Sequence, residues 1–340
     1  RQDQIELGGM FVMQYRTYKE TMLPQMVRLW KEEAVRIRYK AYDSPEEWKA
    51  ELLDKPDFDP EGCILAFTDS GSLAGFAAAI SQKEFLPGQN RDNTPGYIFL
   101  LVVKEEYEGR GVGSSLLEKA EAFLKGQGKH EIRISHKCPI KMSWYIDREG
   151  HEHNKAPGIR TDSPGYIFFQ RRGYELVQKE VSYYLELEKF YIPADVQKHI
   201  MELESEGIRV AWFDSAGNFG YEEMFERLKD QSFLKKFRDG IREHKKILIV
   251  EDRDGRVMGT AGTVYPEKNG RGFFSALAVD PADGGRGIGN VLFFSLCQEL
   301  KNMGAEYMTI FVTETNFARR IYEKAGFSAV QEWAILKKTV

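Results

Sequence analysis

The sequence predicts an α/β protein built from two successive domains. The chain has 340 residues, a length that suits two hydrophobic cores better than one. An apolar strand, a glycine-rich loop and a helix follow one another at two places in it. The elements around those two places also recur in the same order. We place the boundary near Lys189, which divides the chain into domains 1–189 and 190–340.

The second glycine-rich loop indicates a binding site for an anion. Apolar residues 273–279 lead into Gly284-Gly285-Arg286-Gly287, and a helix is expected from Ile288. Glycines let a backbone approach a ligand closely, and a helix start presents unpaired N–H groups at the positive end of its dipole. Together they form a cradle suited to a pyrophosphate.

The first loop repeats this pattern, because Val103 and Gly113 have the same spacing as Val279 and Gly289. Periodicity and turn residues predict the other elements. For the first half these are a helix within Tyr18–Arg38, a hairpin of Cys63–Phe67 and Leu73–Ile80, a helix over Ser114–Lys125 and a strand at Ile132–Ser135. For the second half they are a helix over Ala194–Glu206, a strand at Ile208–Phe213, helical structure over Tyr221–Arg242 and a hairpin of Ile247–Val250 and Val257–Thr260.

The two halves differ by an insertion in the first. Gly111 and Gly173 are 62 positions apart, whereas Gly287 and Gly326 are 39 apart, so the first half carries 23 extra residues. The excess falls on His136–Arg160, which is rich in Pro, Gly, His and charge and is expected to be an irregular loop. It either closes over the first site, reaches the neighbouring domain or is a surface loop.

Composition excludes several classes of partner. The chain has 48 basic and 52 acidic residues, a net charge of −4, with the signs interspersed, so no nucleic-acid-binding face is expected. Arg1–Leu7 has no apolar core, and no apolar run reaches the length of a membrane span. The three cysteines have no pairing pattern, as is usual in a reducing compartment. We therefore expect a cytoplasmic protein that uses no membrane.

No metal site is expected either. His151 and His153 lie in a polar loop with no third ligand at a recognised spacing. Two nucleotide-binding alternatives also fail. In a dinucleotide-binding turn the third position would be Gly, but it is Ser114 in one copy and Asn290 in the other. The Gly-Lys-Ser/Thr of a P-loop is missing from both loops.

Both glycine loops resemble motif A of the GNAT acetyltransferases. The second half also matches the family's Asn-x-x-Ala-x-x-x-Tyr-x-Lys-x-Gly-Phe pattern, from Asn316 through Tyr322 to Phe327. The resemblance covers nearly the whole chain as two tandem domains. It implies a mixed, mostly antiparallel, splayed sheet flanked by helices in each domain, and acetyl-coenzyme A as cosubstrate.

The resemblance also implies the site residues. Tyr322 corresponds to the tyrosine that protonates the leaving thiolate, Asn316 belongs to the same catalytic pattern, and a backbone N–H around Ala278 or Val279 would donate to the thioester carbonyl. The implied cofactor-binding residues of the second domain are Leu277, Ala278, Val279, Gly284, Gly285, Arg286, Gly287, Ile288, Gly289 and Asn290. Those of the first are Leu101, Val102, Val103, Gly109, Arg110, Gly111, Val112, Gly113 and Ser114.

The first domain departs from the family at important positions. Phe169 stands where Tyr322 does, and Ser163 stands where Asn316 does, so this domain is expected to be catalytically degenerate. Both loops also lack the family's first Arg or Gln, and Arg110 and Arg286 are the candidates to supply positive charge instead. Glu108, at that first position, is expected to turn outward or to pair with Lys104.

The expected function is N-acetyl transfer to a primary amine that attacks the thioester directly. The acceptor is a small molecule or a peptide, and family membership does not choose between them. Glu314, Glu267 and Tyr265 are equal candidates for a general base or for plain surface residues. The alternative function is that of an acyl-coenzyme A-binding sensor or structural protein without turnover, which would not need the Tyr322 hydroxyl.

Overall fold

The structure of the protein is a computed structural model that describes residues 13–148 and 150–340. The segment Arg1–Leu7 lies outside the described residues. Two compact units are present. The N-terminal unit consists of residues 13–145, 154–178 and 334–340, and the C-terminal unit of residues 146–153 and 179–333, in each case as far as the structure describes them.

The first half of the chain forms the elements expected of it. Its helices are α1 (Leu23–Arg36), α2 (Pro45–Trp48), α3 (Val112–Gly126) and α4 (Pro164–Gln170). Its strands are β1 (Gln14–Thr17), β2 (Cys63–Phe67), β3 (Leu73–Ser81), β4 (Gly96–Val103), β5 (Glu131–Ile134) and the two-residue strands β6 (Trp144–Tyr145), β7 (Glu152–His153) and β8 (Ile159–Arg160). The predicted hairpin is confirmed, because β2 and β3 pair antiparallel with Cys63 opposite Ala78.

The remaining elements run from β9, the last strand of the first half, to β16 at the end of the second half. The strands are β9 (Glu175–Glu186), β10 (Arg209–Trp212), β11 (Ile247–Glu251), β12 (Val257–Pro266), β13 (Arg271–Phe274), β14 (Ala278–Val279), β15 (Tyr307–Thr313) and β16 (Ser328–Thr339). The helices are α5 (Ala194–Ser205), α6 (Tyr221–Leu228), α7 (Gln231–Arg242), α8 (Ile288–Asn302) and α9 (Arg319–Lys324).

The helical structure predicted over Tyr221–Arg242 is two helices rather than one. The break falls at Lys229, whose φ of 54° is left-handed and cannot continue a helix. Asp230 then starts α7, since its carboxylate accepts hydrogen bonds from the N–H groups of Ser232 and Phe233, both at 3.0 Å.

Each unit has one mixed, mostly antiparallel sheet flanked by helices, as predicted. In the C-terminal unit the strand order is β10, β11, β12, β13, β15, and then β9, whose residues 180–186 pair antiparallel with β15. In the N-terminal unit the order is β1, β2, β3, β4, β5, and then the end of β16, where Leu336 lies opposite Ile134. Each sheet is therefore completed by a strand from the other half of the chain.

This exchange makes the compact units differ from a single division after Lys189. The last residues of the chain, 334–340, belong to the N-terminal unit, while residues 179–189 and the inserted residues 146–153 belong to the C-terminal unit. Pairing gives β5 and β15 a second neighbour, which removes an exposed sheet edge from each.

Both sheets contain one short parallel pairing, and in the C-terminal unit the sheet opens where this pairing ends. In the C-terminal unit β13 and β15 pair only at Arg271 with Tyr307 and at Gly272 with Met308. Beyond these residues β14 pairs with β12 on its other side, so the sheet opens between β14 and β15. Helix α8 packs on one face of this sheet, with Met308 and Ile310 in the shared core, and α6 and α7 pack on the opposite face.

Candidate functional site

The predicted second glycine loop lies where β14 ends and α8 begins. Gly285 and Gly287 have φ values of 82° and 73°, which side-chain-bearing residues rarely adopt, and Gly287 is the N-cap of α8. In the described part of the chain, a β-carbon on Gly285 would meet no atom within 4 Å. The first-turn N–H groups of this 15-residue helix therefore open onto an accessible loop.

Two buried aspartates hold the loop in place, and the sequence reasoning missed both. Asp280 accepts from the Arg227 guanidinium at 2.8 Å and from the N–H of Ala282 at 3.0 Å. Hydrogen bonding from Arg227 keeps the pKa of Asp280 below its ordinary value. Asp283 accepts from both terminal nitrogens of Arg256, at 2.9 and 3.1 Å. The pattern Asp-Pro-x-Asp directly before the glycines could have indicated the two aspartates from sequence.

Helix α5 contacts the loop from outside through His199. Its Nε2 lies 2.9 Å from the carbonyl oxygen of Arg286, and its Nδ1 lies 3.2 Å from a carboxylate oxygen of Glu202. These acceptors, the Arg286 carbonyl first, raise the pKa of His199. A β-carbon on Gly287 would lie 2.5 Å from His199 Nε2, so a side chain there would have to displace the ring in addition to straining the backbone.

Arg286 has a carboxylate partner in the structure. Its Nη2 lies 2.6 Å from Glu206, and both side chains are exposed. A phosphate bound at the loop would compete with Glu206 for this guanidinium, in an exchange that involves little net energy because exposed ion pairs are weak. The other predicted cofactor residues of this half lie together. A β-carbon on Gly289 would lie 3.4 Å from the side chain of Val279, and Asn290 lies in the first turn of α8.

The first glycine loop has the same backbone but different surroundings. Gly109 and Gly111 have φ values of 73° and 84°, and Gly111 caps α3 as Gly287 caps α8. A β-carbon on Gly113 would lie 3.4 Å from the ring of Phe168, and Arg172 donates to the hydroxyl of Ser114. In the second half, the corresponding residues of α9 are Ile321 and Ala325. Phe168 and Arg172 therefore lie beside the start of α3, where α9 has an isoleucine and an alanine at the corresponding positions.

Of the two alternatives predicted for Glu108, the outward orientation agrees with its exposed side chain, and pairing with Lys104 is wrong. Its carboxylate accepts from Arg36 Nη2 at 2.6 Å, while Lys104 pairs with Glu106 at 2.8 Å. Arg36 reaches from α1, a helix some seventy positions earlier, so sequence proximity favoured the nearer lysine. Arg110, the predicted source of positive charge, has its guanidinium 6.0 Å from the ring centre of Tyr107.

Tyr322 lies on α9 within an aromatic cluster. Its ring centre is 4.9 Å from that of Phe293 on α8 and 6.1 Å from that of Tyr183 on β9. Burial raises its pKa to about 12, so the hydroxyl keeps its proton at neutral pH. A neutral, half-buried phenol is a competent proton donor to a thiolate.

Phe169 occupies the same local position in the first half. The carbonyl of Phe169 accepts from the N–H of Tyr174 at 3.1 Å, as the carbonyl of Tyr322 accepts from Phe327 at 3.0 Å. Phe169 is buried against Tyr174, with ring centres 5.1 Å apart. The structural correspondence supports the alignment on which the degenerate first site was predicted.

Asn316 has a local structural contact. It is exposed, and its side-chain oxygen accepts from the N–H of Ala318 at 2.9 Å, in the turn that leads into α9. This contact orients the start of the helix that carries Tyr322. The structure therefore brings Asn316 and Tyr322 onto one short segment, with the asparagine at its beginning.

The three candidate bases have different surroundings. Glu267 pairs with Arg271, Oε2 to Nε at 2.7 Å, and Tyr265 stacks on Phe273 with ring centres 4.7 Å apart. Burial, followed by the Glu267 charge, raises the pKa of Tyr265. Glu314 is exposed. Tyr265 and Glu267 therefore lie at the hairpin between β12 and β13, where Arg271 engages Glu267, whereas Glu314 is exposed.

Residues 146–153 of the insertion are part of the C-terminal unit. The His151 ring stacks on Tyr307, and its Nδ1 lies 2.7 Å from the Tyr184 hydroxyl. Among residues 13–148 and 150–340, no three His, Cys, Asp or Glu side chains come together as metal ligands would. In the same residues, no helix combines the length and apolar character that a membrane crossing requires.

Comparison with known families agrees with this geometry. The model of the acetyltransferase (GNAT) family matches residues 23–138, and that of the acetyltransferase (GNAT) domain matches residues 204–335. Together the two matches span well over half of the chain. The protein therefore belongs to the GNAT acetyltransferase family and has two tandem GNAT domains. A search of curated protein sequences finds no match.

Solved structures share the fold at low sequence identity. A GCN5-related N-acetyltransferase from Sphaerobacter thermophilus is 17% identical with a TM-score of 0.65, the match covering 96% of this chain and 95% of that one. A tandem GNAT protein from the clavulanic acid biosynthesis pathway is 12% identical with a TM-score of 0.59, covering 96% and 98%. The GCN5-related glucosamine N-acetyltransferase region of a fungal multi-domain GH3 β-N-acetylglucosaminidase is 15% identical with a TM-score of 0.67. The match to the fungal protein covers 96% of this chain but only 38% of that longer chain.

Proposed function

We propose that the C-terminal unit transfers an acetyl group from acetyl-coenzyme A to a primary amine by direct attack on the thioester. The observation that carries the proposal is the pairing of an open glycine loop at the start of α8 with a protonated tyrosine, Tyr322, that packs against the same helix. A pure binding protein needs the loop but has no use for the hydroxyl.

The residues of the loop fit a pyrophosphate. Gly285 and Gly287 keep the backbone accessible, and the N–H groups of the first turn of α8 have no partner within the helix. The left-handed backbone of Gly287 favours glycine, and a β-carbon there would require the His199 ring to move. Bound acetyl-coenzyme A supplies an activated acyl group as a thioester.

The opening in the sheet supports one backbone donor for the thioester carbonyl. The N–H groups of Ala276 and Asp280 donate to Ala261 and Met258 of β12. Because successive N–H groups of a strand alternate in direction, the N–H of Val279 points away from β12 and into the opening between β14 and β15. We infer that Val279, rather than Ala278, polarises the carbonyl.

The reaction then needs two proton movements. The amine nitrogen forms a bond to the acetyl carbon, the carbon–sulfur bond breaks, and the nitrogen loses a proton to solvent or to a nearby base. Tyr322 gives its proton to the departing sulfur and recovers one from solvent. Its raised pKa keeps the phenol protonated at neutral pH, so the proton is in place when the sulfur leaves.

The N-terminal unit is proposed to lack turnover. Phe169 replaces the proton donor, and Phe168 and Arg172 lie beside the start of α3. This unit therefore has a phenyl ring at the position where Tyr322 carries its hydroxyl.

The test is turnover by the full chain. Acetyl-coenzyme A and a panel of primary amines are incubated with the protein, free thiol is measured continuously, and the acetylated amine is identified by mass spectrometry. The proposal expects thiol release that saturates with amine and matches acetylated product one to one. Binding of acetyl-coenzyme A without acetylation of any amine in the panel would favour the sensor alternative instead.

A further inference from the structure

Arg271 is a buried cation with an unused donor. On β13 it is only 4% exposed, and its Nη2 has no hydrogen-bond partner among the described residues. Its Nε donates to Glu267 at 2.7 Å and its Nη1 donates to Thr309 at 3.3 Å. A buried donor without a partner costs on the order of 1–3 kcal/mol, more when it is charged. Unpaired buried polar groups are rare in folded proteins and need an explanation. One explanation is that a bound ligand supplies the missing partner.

The guanidinium lies on the face of the sheet opposite α8. Met308 and Ile310 of β15 point into the core shared with α8, so the alternate residues Tyr307 and Thr309 point to the other face. Arg271 is paired with Tyr307 in the parallel register, which places it on that same face. Its Nη1 reaches Thr309, two residues further along β15, so the side chain extends toward the opening of the sheet.

Aromatic rings and the insertion border this strip. Tyr265 and Phe273 stack beside Arg271 on the side of β12. On the side of β15, the Tyr307 hydroxyl bonds to the backbone of Glu152, at 3.0 Å from its N–H and 3.1 Å from its carbonyl. The side-chain oxygen of Asn269 accepts from the Arg271 N–H at 3.1 Å, and its amide donates to Glu152 at 2.9 Å. Residues 146–153 thus fix the turn that precedes Arg271.

This inference rests on the proposed function. We propose that Arg271 binds a carboxylate carried by the amine acceptor. A buried guanidinium that is bonded on two nitrogens and has no partner on the third can bind one further anion, and charge-assisted bonds to carboxylates are strong in a water-poor setting. Thr309 adds a neutral hydroxyl beside it, and the stacked rings suit an extended, weakly polar chain.

The strand geometry sets the separation of amine and carboxylate. The Arg271 guanidinium lies beside Thr309, which is as far along β15 as Phe273 is along β13. The proposed carbonyl donor is the N–H of Val279, six residues after Phe273. Six residues of regular strand span about 20 Å, and the segment between β13 and β14 is irregular, so this length is an upper bound on the separation. A short peptide with a free carboxyl end meets this distance, and a simple α-amino acid does not.

The experiment compares acids with amides of identical amine. Glycine, diglycine, triglycine and tetraglycine and their carboxamides are assayed with the full chain and acetyl-coenzyme A. We expect the triglycine or tetraglycine acid to exceed its amide by at least about tenfold in kcat/KM, mainly through KM, since one charge-assisted bond is about 1.4 kcal/mol or more. Arg271→Met should remove that preference, and Arg271→Lys should keep part of it.

Glu267→Gln is the second variant, and it should increase the preference for acid over amide acceptors that Arg271→Met removes. Glu267 shares the guanidinium of Arg271, so its neutralisation should strengthen carboxylate binding. If Arg271 had only a structural role, Arg271→Met and Glu267→Gln would change acid and amide acceptors equally, and thermal melting would report a loss of stability in both. Equal kcat/KM for acid and amide in the wild-type protein would also overturn the proposal.

A binding measurement separates this proposal from the proposed function. The products N-acetyltriglycine and N-acetyltriglycinamide are titrated calorimetrically into the protein in the presence of coenzyme A. Preference for the acid that disappears in Arg271→Met supports the carboxylate site even if no amine is turned over. Equal binding of acid and amide, or binding of neither, overturns it even if other amines are acetylated.

Discussion

The imidazole ring of His151 stacks on the phenol ring of Tyr307, with ring centres 4.0 Å apart and ring planes 11° from parallel. His151 lies in the insertion His136–Arg160, and Tyr307 begins β15 of the C-terminal unit. Of the three roles considered for the insertion from sequence, this contact favours the second, in which part of the insertion reaches the other domain. Residues 146–153 pack as part of the C-terminal unit.

His151→Ala should therefore lower the stability of the protein. The stacking and the 2.7 Å hydrogen bond to Tyr184 together suggest a loss of about 1–3 kcal/mol. Urea denaturation followed by circular dichroism and tryptophan fluorescence measures it. The matched control is His130→Ala, at an exposed position, which should change the free energy of unfolding by less than about 0.5 kcal/mol. Equal effects of the two substitutions would contradict a docked insertion.

Tyr322→Phe should lower kcat by about 10²–10⁴ while leaving the affinity for acetyl-coenzyme A nearly unchanged, because it removes a proton donor and keeps the ring. Single-turnover acetylation and calorimetric titration measure the two quantities separately. Tyr191→Phe is the control, since Tyr191 is 74% exposed and should have no effect. A fully active Tyr322→Phe protein would exclude Tyr322 as the proton donor.

Local pattern was sufficient for most of the fold. Side-chain periodicity and turn residues determine structure among residues that are close together in the chain. They were enough to predict the glycine loops, the hairpin of β2 and β3 and the repeat. Gly285 and Gly287 are examples, because the left-handed angles that they adopt are the reason glycine is needed there.

Long-range pairing was not accessible to the same reasoning. Nothing local in Leu336 indicates that it lies opposite Ile134, and nothing near Glu108 indicates Arg36 as its partner. Arg271 was not singled out for the same reason, since its partner Thr309 lies 38 positions away and meets it only in the folded sheet. The residues that define an acceptor site come from several segments, so they are the least visible in sequence.

Gly287→Glu should weaken acetyl-coenzyme A binding at least tenfold and lower turnover at subsaturating cofactor. It forces a side chain onto a left-handed backbone beside His199 and places a carboxylate near the expected pyrophosphate. Gly111→Glu, at the corresponding φ of 84° in the first half, is the matched control. If the N-terminal unit lacks turnover, the control keeps its kcat and its KM for acetyl-coenzyme A. Loss of turnover in a folded Gly111→Glu protein would instead make the first loop essential to catalysis.

The contact of His199 with the loop predicts a pH dependence of cofactor binding. Both ring nitrogens face acceptors, the Arg286 carbonyl and Glu202, so the doubly protonated ring donates to both. The pKa of His199 is raised above its ordinary 6.5 for this reason. A raised pKa means that the stabilising contribution is complete below pH 6.5 and is lost as pH rises through the folded-state value.

Affinity for acetyl-coenzyme A should accordingly fall as pH rises from about 6 to 8.5, because the loop loses both a positive charge and a fixed contact from α5. Calorimetric titration of coenzyme A across this range measures the effect. Glu202, Glu206 and Arg286 are the other charged groups at this contact, and the hydrogen bond with His199 lowers the pKa of Glu202. His199→Gln should bind more weakly at pH 6 and follow a flatter profile, with a difference from wild type that shrinks toward pH 8.5. His130→Gln, on the other unit, should reproduce the wild-type profile, and a His199→Gln profile parallel to wild type would assign the pH dependence to another group.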